Sequence, residues 1–185
     1  MRLVVLLVAC LMAAGCTAAV EGTPSAPTGL LLPPRPREVR LDGVDPCSLL
    51  TAEQRASLDL DGAPRFTNSY AELFRGDVPT CTITGYTVRP IALAIGTVTT
   101  AGIERWQTGD LAAQVTPTSI ADFPAVVAVP TRFTNYCSVE VDVAQAQLLD
   151  VQLSDAGGSP PVPQGELCTR AEHAATELIS SLLTR

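Results

Sequence analysis

The groups in this chain best equipped for chemistry are its thiols, and the first that matters is Cys16. Arg2 starts the chain with a positive charge, residues 3–12 form an apolar run, and Ala13-Ala14-Gly15 set small side chains directly before the cysteine. That order is the pattern of an export leader removed by a signal peptidase. The chemistry expected is thioether attachment of a diacylglyceryl group to the Cys16 sulfur, cleavage ahead of it, and acylation of the new amino group. A run this short falls well under the roughly 20 residues a helix needs to cross a bilayer, so a permanent span is not expected. A non-lipidated export signal is the rival reading, since Ala-x-Ala-like patterns also occur nearby. Leu7-Val8-Ala9-Cys10 repeats the cysteine pattern, but cutting there leaves only about seven apolar residues, the short limit for a signal core.

Four further cysteines, Cys47, Cys81, Cys137 and Cys168, follow the leader. An even number in an exported chain points to two disulfides. A four-thiolate zinc site is the alternative, but no two of these cysteines stand at the close C-x2-C or C-x4-C spacing that such sites use. With all four paired, none is left as a nucleophile.

The sole histidine, His173, shares the polar side of a helical pattern with Glu177 four residues on and Glu166 two turns back. That is the setting of a solvated residue rather than of a base in a hydrolase cleft. No G-x-S-x-G, H-E-x-x-H, P-loop or G-x-G-x-x-G occurs. Glu140 and Asp142 stand two apart on one strand face, as in some carboxylate sites, and are read as a solvated acidic face. Asp42, Asp45, Asp59 and Asp61 lack EF-hand spacing and are read as caps and loop residues. No catalytic residue, metal or cofactor is expected.

The elements that position these groups follow from local pattern. Residues 17–44 carry five prolines and read as an extended, mobile linker. Asp45-Pro46-Cys47 opens the folded part with an N-cap and a proline suited to a first turn. Thr51 and Gln54 fit a capping box for a helix over residues 52–58. Residues 65–79 read as mostly loop. Strands are expected over 81–88, 91–99, 111–116 and 125–129, the last two separated by residues 117–124. A short amphipathic helix over 102–107 carries Ile103 and Trp106 toward the core. In Cys137-Ser138-Val139-Glu140-Val141-Asp142-Val143, strict alternation puts cysteine and valines on one face and polar residues on the other. Leu149, Val151 and Leu153 continue a hairpin. A final helix over about 166–183 bears an apolar stripe with Cys168 at its edge. The core face of Cys137 lies within reach of that helix, and Cys47 near the first helix is placed to meet Cys81. The pairing Cys47–Cys81 and Cys137–Cys168 is favoured among the three possible connectivities.

Composition bounds the partners. The net charge is −7 and no lysine is present. A negative chain without a basic stripe is a poor ligand for nucleic acid or for anionic lipid, so contact with the membrane is expected through acyl chains on Cys16. With 46% hydrophobic residues but only 4% aromatics, the core must be mainly aliphatic.

Together, the cysteine after a leader, the Pro-rich linker, Asp45-Pro46-Cys47 followed by Leu50-Thr51, Cys81 opening a strand, Cys137 leading an alternating strand and Cys168 starting an alanine-rich helix resemble the actinobacterial lipoproteins of domain-of-unknown-function family 3558. The likeness covers about residues 16–183. It implies a surface lipoprotein of the actinobacterial envelope and brings no catalytic residues to carry over. Ala13 before the cysteine and Gly85-Tyr86 after Cys81, where a tryptophan nearer the cysteine is expected, depart from the pattern.

The expected organisation is a leader over 1–15, a lipidated cysteine and linker over 16–44, and one α+β domain over 45–185. That domain is expected to be an antiparallel sheet of five or six strands with N- and C-terminal helices on one face and two disulfides, Mog/PsbP-like by fold analogy. The expected function is a non-enzymatic, lipid-anchored binding module at the extracytoplasmic face of the cell membrane, with an envelope protein, glycan or lipid as partner. The alternatives are an envelope hydrolase or transferase using acidic residues, or a lipid carrier with an apolar cavity.

Overall fold

The computed structural model describes residues 31–109 and 111–185, so Cys16 and the leader expected over 1–15 lie outside the described residues. Seven strands form one open antiparallel sheet: β1 (Arg65–Ala71), β2 (Gly76–Gly85), β3 (Ile91–Val98), β4 (Ala113–Ile120), β5 (Phe123–Pro130), β6 (Tyr136–Ala144) and β7 (Gln147–Asp155). Their order across the sheet is β1-β2-β3-β7-β6-β5-β4. This corrects the expected five or six strands. The added one is β1, in the stretch expected to be mostly loop. As an edge strand exposed along almost its whole length, it has no buried face to impose apolar alternation on its sequence.

The hairpin β4–β5 is longer than its sequence pattern suggests. Ala121 and Asp122, at φ of 46° and 68°, form a two-residue turn of the type I′ geometry that matches strand twist. Pro117 is tolerated because β4 is the other edge strand. Pro124 is tolerated because β5 pairs with β6 only from Ala125.

The N-terminal helix α1 (Ala52–Ser57) does not pack as expected, for none of its six residues is buried. Its capping box is complete: the Gln54 N–H donates to Thr51 Oγ1 at 3.2 Å and the Thr51 N–H donates to Gln54 Oε1 at 2.9 Å. The place on the sheet is taken instead by the 3-10 turn Pro46–Ser48 with Leu49 and Leu50, which reach the core. The C-terminal helix α2 (Gln164–Leu183) buries Leu167, Ala171, Ala174, Ala175, Leu178, Ile179 and Leu182 against β6 and β7. Small alanines in that stripe let the helix approach the sheet closely. Cys47–Cys81 ties the first turn to β2, and Cys137–Cys168 ties β6 to α2, with Cα separations of 5.0 and 5.1 Å.

The Pro-rich stretch joins the body before it ends. The Val39 N–H donates to the Val143 carbonyl at 2.8 Å, the Leu41 N–H donates to Gln147 Oε1 at 2.7 Å, and Leu41 is buried in the core.

Strand order decides what happens on the opposite face. The connection from β3 to β4 must pass β7, β6 and β5 to reach the far edge. Its described residues, 99–109, 111 and 112, carry the second 3-10 turn, Ile103–Trp106, over the sheet. Ile103 and Trp106 pack there with Phe74, Val78, Val98, Val126, Ala128 and Leu148 as a second, smaller core.

Candidate functional site

The crossing segment buries the face of β6 expected to meet solvent. Ser138, Glu140 and Asp142 are all buried, Glu140 to 1% exposure. The valines of the same strand face α2, so β6 is covered on both sides. This corrects the reading of Glu140 and Asp142 as a solvated acidic face.

Glu140 lies directly across from Asp150 of β7, which is buried to 6% exposure. Gly96 of β3 is the opposite neighbour of Asp150. A Cβ at Gly96 would come within 3.3 Å of the Asp150 Cβ and 3.2 Å of Val78, so the missing side chain leaves the room that the carboxyl group occupies. Ser138 Oγ donates to Glu140 Oε1 at 2.5 Å, and Gln152 Nε2 donates to Asp150 Oδ2 at 3.0 Å. The remaining oxygens, Glu140 Oε2 and Asp150 Oδ1, accept from no donor outside the pair.

Burial raises Glu140 well above the usual carboxyl range, and the neighbouring Asp150 charge pushes it further. Burial raises Asp150 to about 7, opposed by hydrogen bonds from Gln152 and with Glu140. The two carboxyls therefore hold at least one proton between them near neutral pH and are not both ionised. Burial also raises the Tyr136 phenol, with Asp150 and Glu140 adding to the effect. Among the described residues, none of the arginine and histidine ion pairs involves either Glu140 or Asp150.

Beside this pair lies a cavity of about 180 Å3. Ser138, Glu140, Trp106 and Ala128 are its buried wall and floor; exposed Ala112 and half-buried Leu73, Leu111, Pro130 and Tyr136 are nearer solvent. Trp106 is steadied by Phe74, their ring centroids 5.7 Å apart. Sequence reasoning singled out Glu140 but paired it with Asp142 on its own strand. Asp150 and Gln152 alternate with Leu149, Val151 and Leu153, and that alternation was the available signal.

The other candidate residues are dispersed. Asp142 is gripped by Arg35, whose Nη1 donates to both carboxylate oxygens at 2.7 Å. Burial raises its pKa while Arg35 pulls it back. His173 is 57% exposed, with Nε2 3.8 Å from Glu177 Oε1, and Glu166 pairs with Arg89 at 3.4 Å. A second cavity of about 260 Å3 is lined in part by Ser57, Asp59, Arg170 and His173. Its polar groups are engaged elsewhere: Asp59 with Arg170 at 3.0 Å, and the Ser57 hydroxyl with the Gln54 carbonyl at 2.8 Å. They form no nucleophile–base relay.

Asp45 caps the first 3-10 turn by accepting from the Cys47 N–H. Asp42 accepts from Gln147 and Arg40, and Asp61 from Tyr86 and Thr87. Among the described residues, no three acidic, histidine or cysteine side chains gather as a metal site.

The model of a family described as a protein of unknown function, DUF3558, matches residues 11–181, nearly the whole chain. The chain belongs to this family. Searches of curated proteins and of solved structures give no match. The match spans the described fold and residues 11–30 ahead of it, and it assigns no role to the carboxyl pair or its cavity.

Proposed function

We propose that this member of the family is a lipoprotein of the actinobacterial envelope, anchored through Cys16 at the extracytoplasmic face of the membrane, and that it works as a non-enzymatic binding module. The observation that carries the binding reading is the cavity above Glu140. A small space with a buried polar floor and a largely apolar rim is the form of a ligand site. The partner is an envelope lipid, glycan or protein group small enough to enter. A lipid carrier is less well supported, because the larger cavity beside α2 has Asp59, Arg170 and His173 in its lining as well as leucines.

Two carboxyls sharing a proton also favour a second reading, an envelope hydrolase or transferase with acid–base chemistry. Only Glu140 of the pair lines the cavity, and this favours binding over a two-group mechanism. Full-length protein equilibrated with a small-molecule envelope extract is expected to retain a compound, released unchanged on denaturation. An Ala112→Arg variant at the rim is expected to retain none. Release of a chemically altered compound by the parent protein but not by Asp150→Asn would establish the enzyme; equal retention by parent and Ala112→Arg proteins would remove the cavity from the account. For the anchor, Cys16→Ser is expected to move the protein out of the membrane fraction, and undiminished membrane retention refutes lipidation there.

A further inference from the structure

We propose that the β1 edge of the sheet pairs with the β1 edge of a second copy of this chain, antiparallel and centred on Asn68. The inference is independent of the cavity and of its carboxyl pair.

The direction in which the β1 backbone faces is set by its neighbours. β1 runs along β2 without a register shift, with Phe66 across from Cys81, Asn68 from Pro79 and Tyr70 from Asp77. In an antiparallel ladder, opposed residues alternate between exchanging both backbone hydrogen bonds and exchanging none. Pro79 has no N–H to give, so it marks Asn68–Pro79 as a pair that exchanges none. A second contact agrees. The Gly62 N–H, just ahead of β1, donates to the Thr84 carbonyl at 2.7 Å, which turns Thr84 toward the β1 side. The period of two turns Thr82 and Thr80 the same way, onto Arg65 and Thr67. Phe66, Asn68 and Tyr70 therefore hold their N–H and C=O groups outward, on the open edge of the sheet.

The two edges differ in how they meet another strand. In β4, the two-residue turn makes Ile120–Phe123 a bonded pair, so alternation turns the Pro117 nitrogen outward and removes a donor from that edge. β1 carries no proline, lysine or bulge, the usual guards of an exposed edge.

The order of side chains along β1 selects a second copy as the partner. Pairing about Asn68 sets Phe66 across from Tyr70 of the other copy at two symmetric places, and Thr67 across from Ser69. Phe66 and Tyr70 share one strand face and are 55% and 61% exposed, so the same register that satisfies the outward backbone groups covers both rings. Sliding by two residues, the smallest step that keeps outward groups opposed, breaks both aromatic pairs. Charge agrees with this register. The chain carries a net −7, yet the one charged residue of β1 is Arg65, which falls across from Ala71 and one position from Glu72 of the other copy. No like charges stand opposite each other, and each end brings an arginine near a glutamate.

Asn68 lies on the two-fold axis, where the Cα atoms of a bonded pair are about 5.5 Å apart, within reach of a disulfide. The test applies a mild oxidant to cells producing the full-length chain as Asn68→Cys, Thr67→Cys or Ser69→Cys, the parent chain controlling for its own cysteines. Non-reducing electrophoresis is the readout. Asn68→Cys is expected to give a linked dimer in at least tenfold greater yield than the parent or than Thr67→Cys or Ser69→Cys alone, whose thiols stand about 7 Å out of line. Producing Thr67→Cys together with Ser69→Cys is expected to restore the link, because those positions face each other. Adding Phe66→Lys and Tyr70→Lys to Asn68→Cys is expected to lower the yield at least tenfold, and both positions are exposed, so the fold is kept. No dimer from Asn68→Cys, equal yields from all three single variants, or a yield undiminished by the lysines would overturn the paired edge. A link from Asn68→Cys to a different protein would overturn the second copy and give the edge to a foreign strand.

Discussion

Glu140 and Asp150 are the residues on which the behaviour of this protein near neutral pH turns. In an unfolded chain both carboxyls titrate near 4. Folding raises both, Asp150 to about 7 and Glu140 in the same direction, through burial first, to which the Asp150 charge adds for Glu140 alone. Between those limits the folded chain holds protons that the unfolded chain has released. The pair's contribution to stability is therefore greatest at the acid end of this window, falls as pH rises through it, and levels off above the folded values. Thermal unfolding from about pH 5 to about pH 8 is expected to show this decline. Glu140→Gln, which removes one of the two raised groups while keeping the shape, is expected to reduce it by about half and to raise the melting temperature at the alkaline end. An unchanged slope in that variant would show that the pair does not titrate as described. Asp42 and Asp61 act oppositely, since hydrogen bonds hold both below the usual carboxylate value, and their loss of stability lies at lower pH.

The crossing segment and the edge strands explain where the elements depart from their sequence patterns. The 3-10 turn Ile103–Trp106 owes its position to a connection obliged to cross three strands, and it sets buried Trp106 in the wall of the cavity that Glu140 also lines. Trp106→Ala is expected to lose about 3 to 5 kcal/mol of stability, as large-to-small core substitutions do. It is also expected to flatten the pH dependence, because water admitted beside Glu140 lowers the desolvation that raises its pKa. Calorimetry at several pH values measures both effects, and a loss of stability with the pH slope intact would mean that the turn packs against the sheet without shielding the pair. The ends of the sheet teach a different lesson. β1 carries Phe66 and Tyr70 among polar residues and is exposed, so neither composition nor alternation marks it. β6 alternates perfectly and yet is buried on both sides, one side by aliphatic packing and the other by a polar network under an apolar cover.

At the scale of the molecule, two disulfides fasten the periphery to the sheet. Cys47–Cys81 closes a separation of 34 residues and Cys137–Cys168 one of 31. By loop entropy each contributes about 3 to 4 kcal/mol, a shift of about 10 °C in a domain of this size. The double substitution Cys137→Ser with Cys168→Ser is expected to lower the melting temperature by about that much while leaving far-ultraviolet circular dichroism unchanged at low temperature. A shift under about 2 °C would show that the apolar stripe of α2 holds the helix on the sheet unaided. The strap from Arg35 to Val44 completes the periphery, with Arg35 on Asp142 and Leu41 in the core. The folded body thus receives the preceding chain through an attached segment.

Local order was legible in the residues themselves. The spacing of Cys16 behind its leader set the expectation of export and anchoring, the Thr51–Gln54 box marked the start of α1, and the three- and four-residue steps of α2 defined its buried stripe. Each depends on neighbours within a few positions, where backbone geometry and period carry the information. Only the tertiary structure decided that Glu140 faces Asp150 and that both are buried. A period of two states that a strand has two different faces; it does not state what covers the second. That depends on a strand order in which β3 and β4 stand on opposite sides of β7, β6 and β5, forcing the connection that carries Ile103–Trp106 across a polar face that then becomes interior.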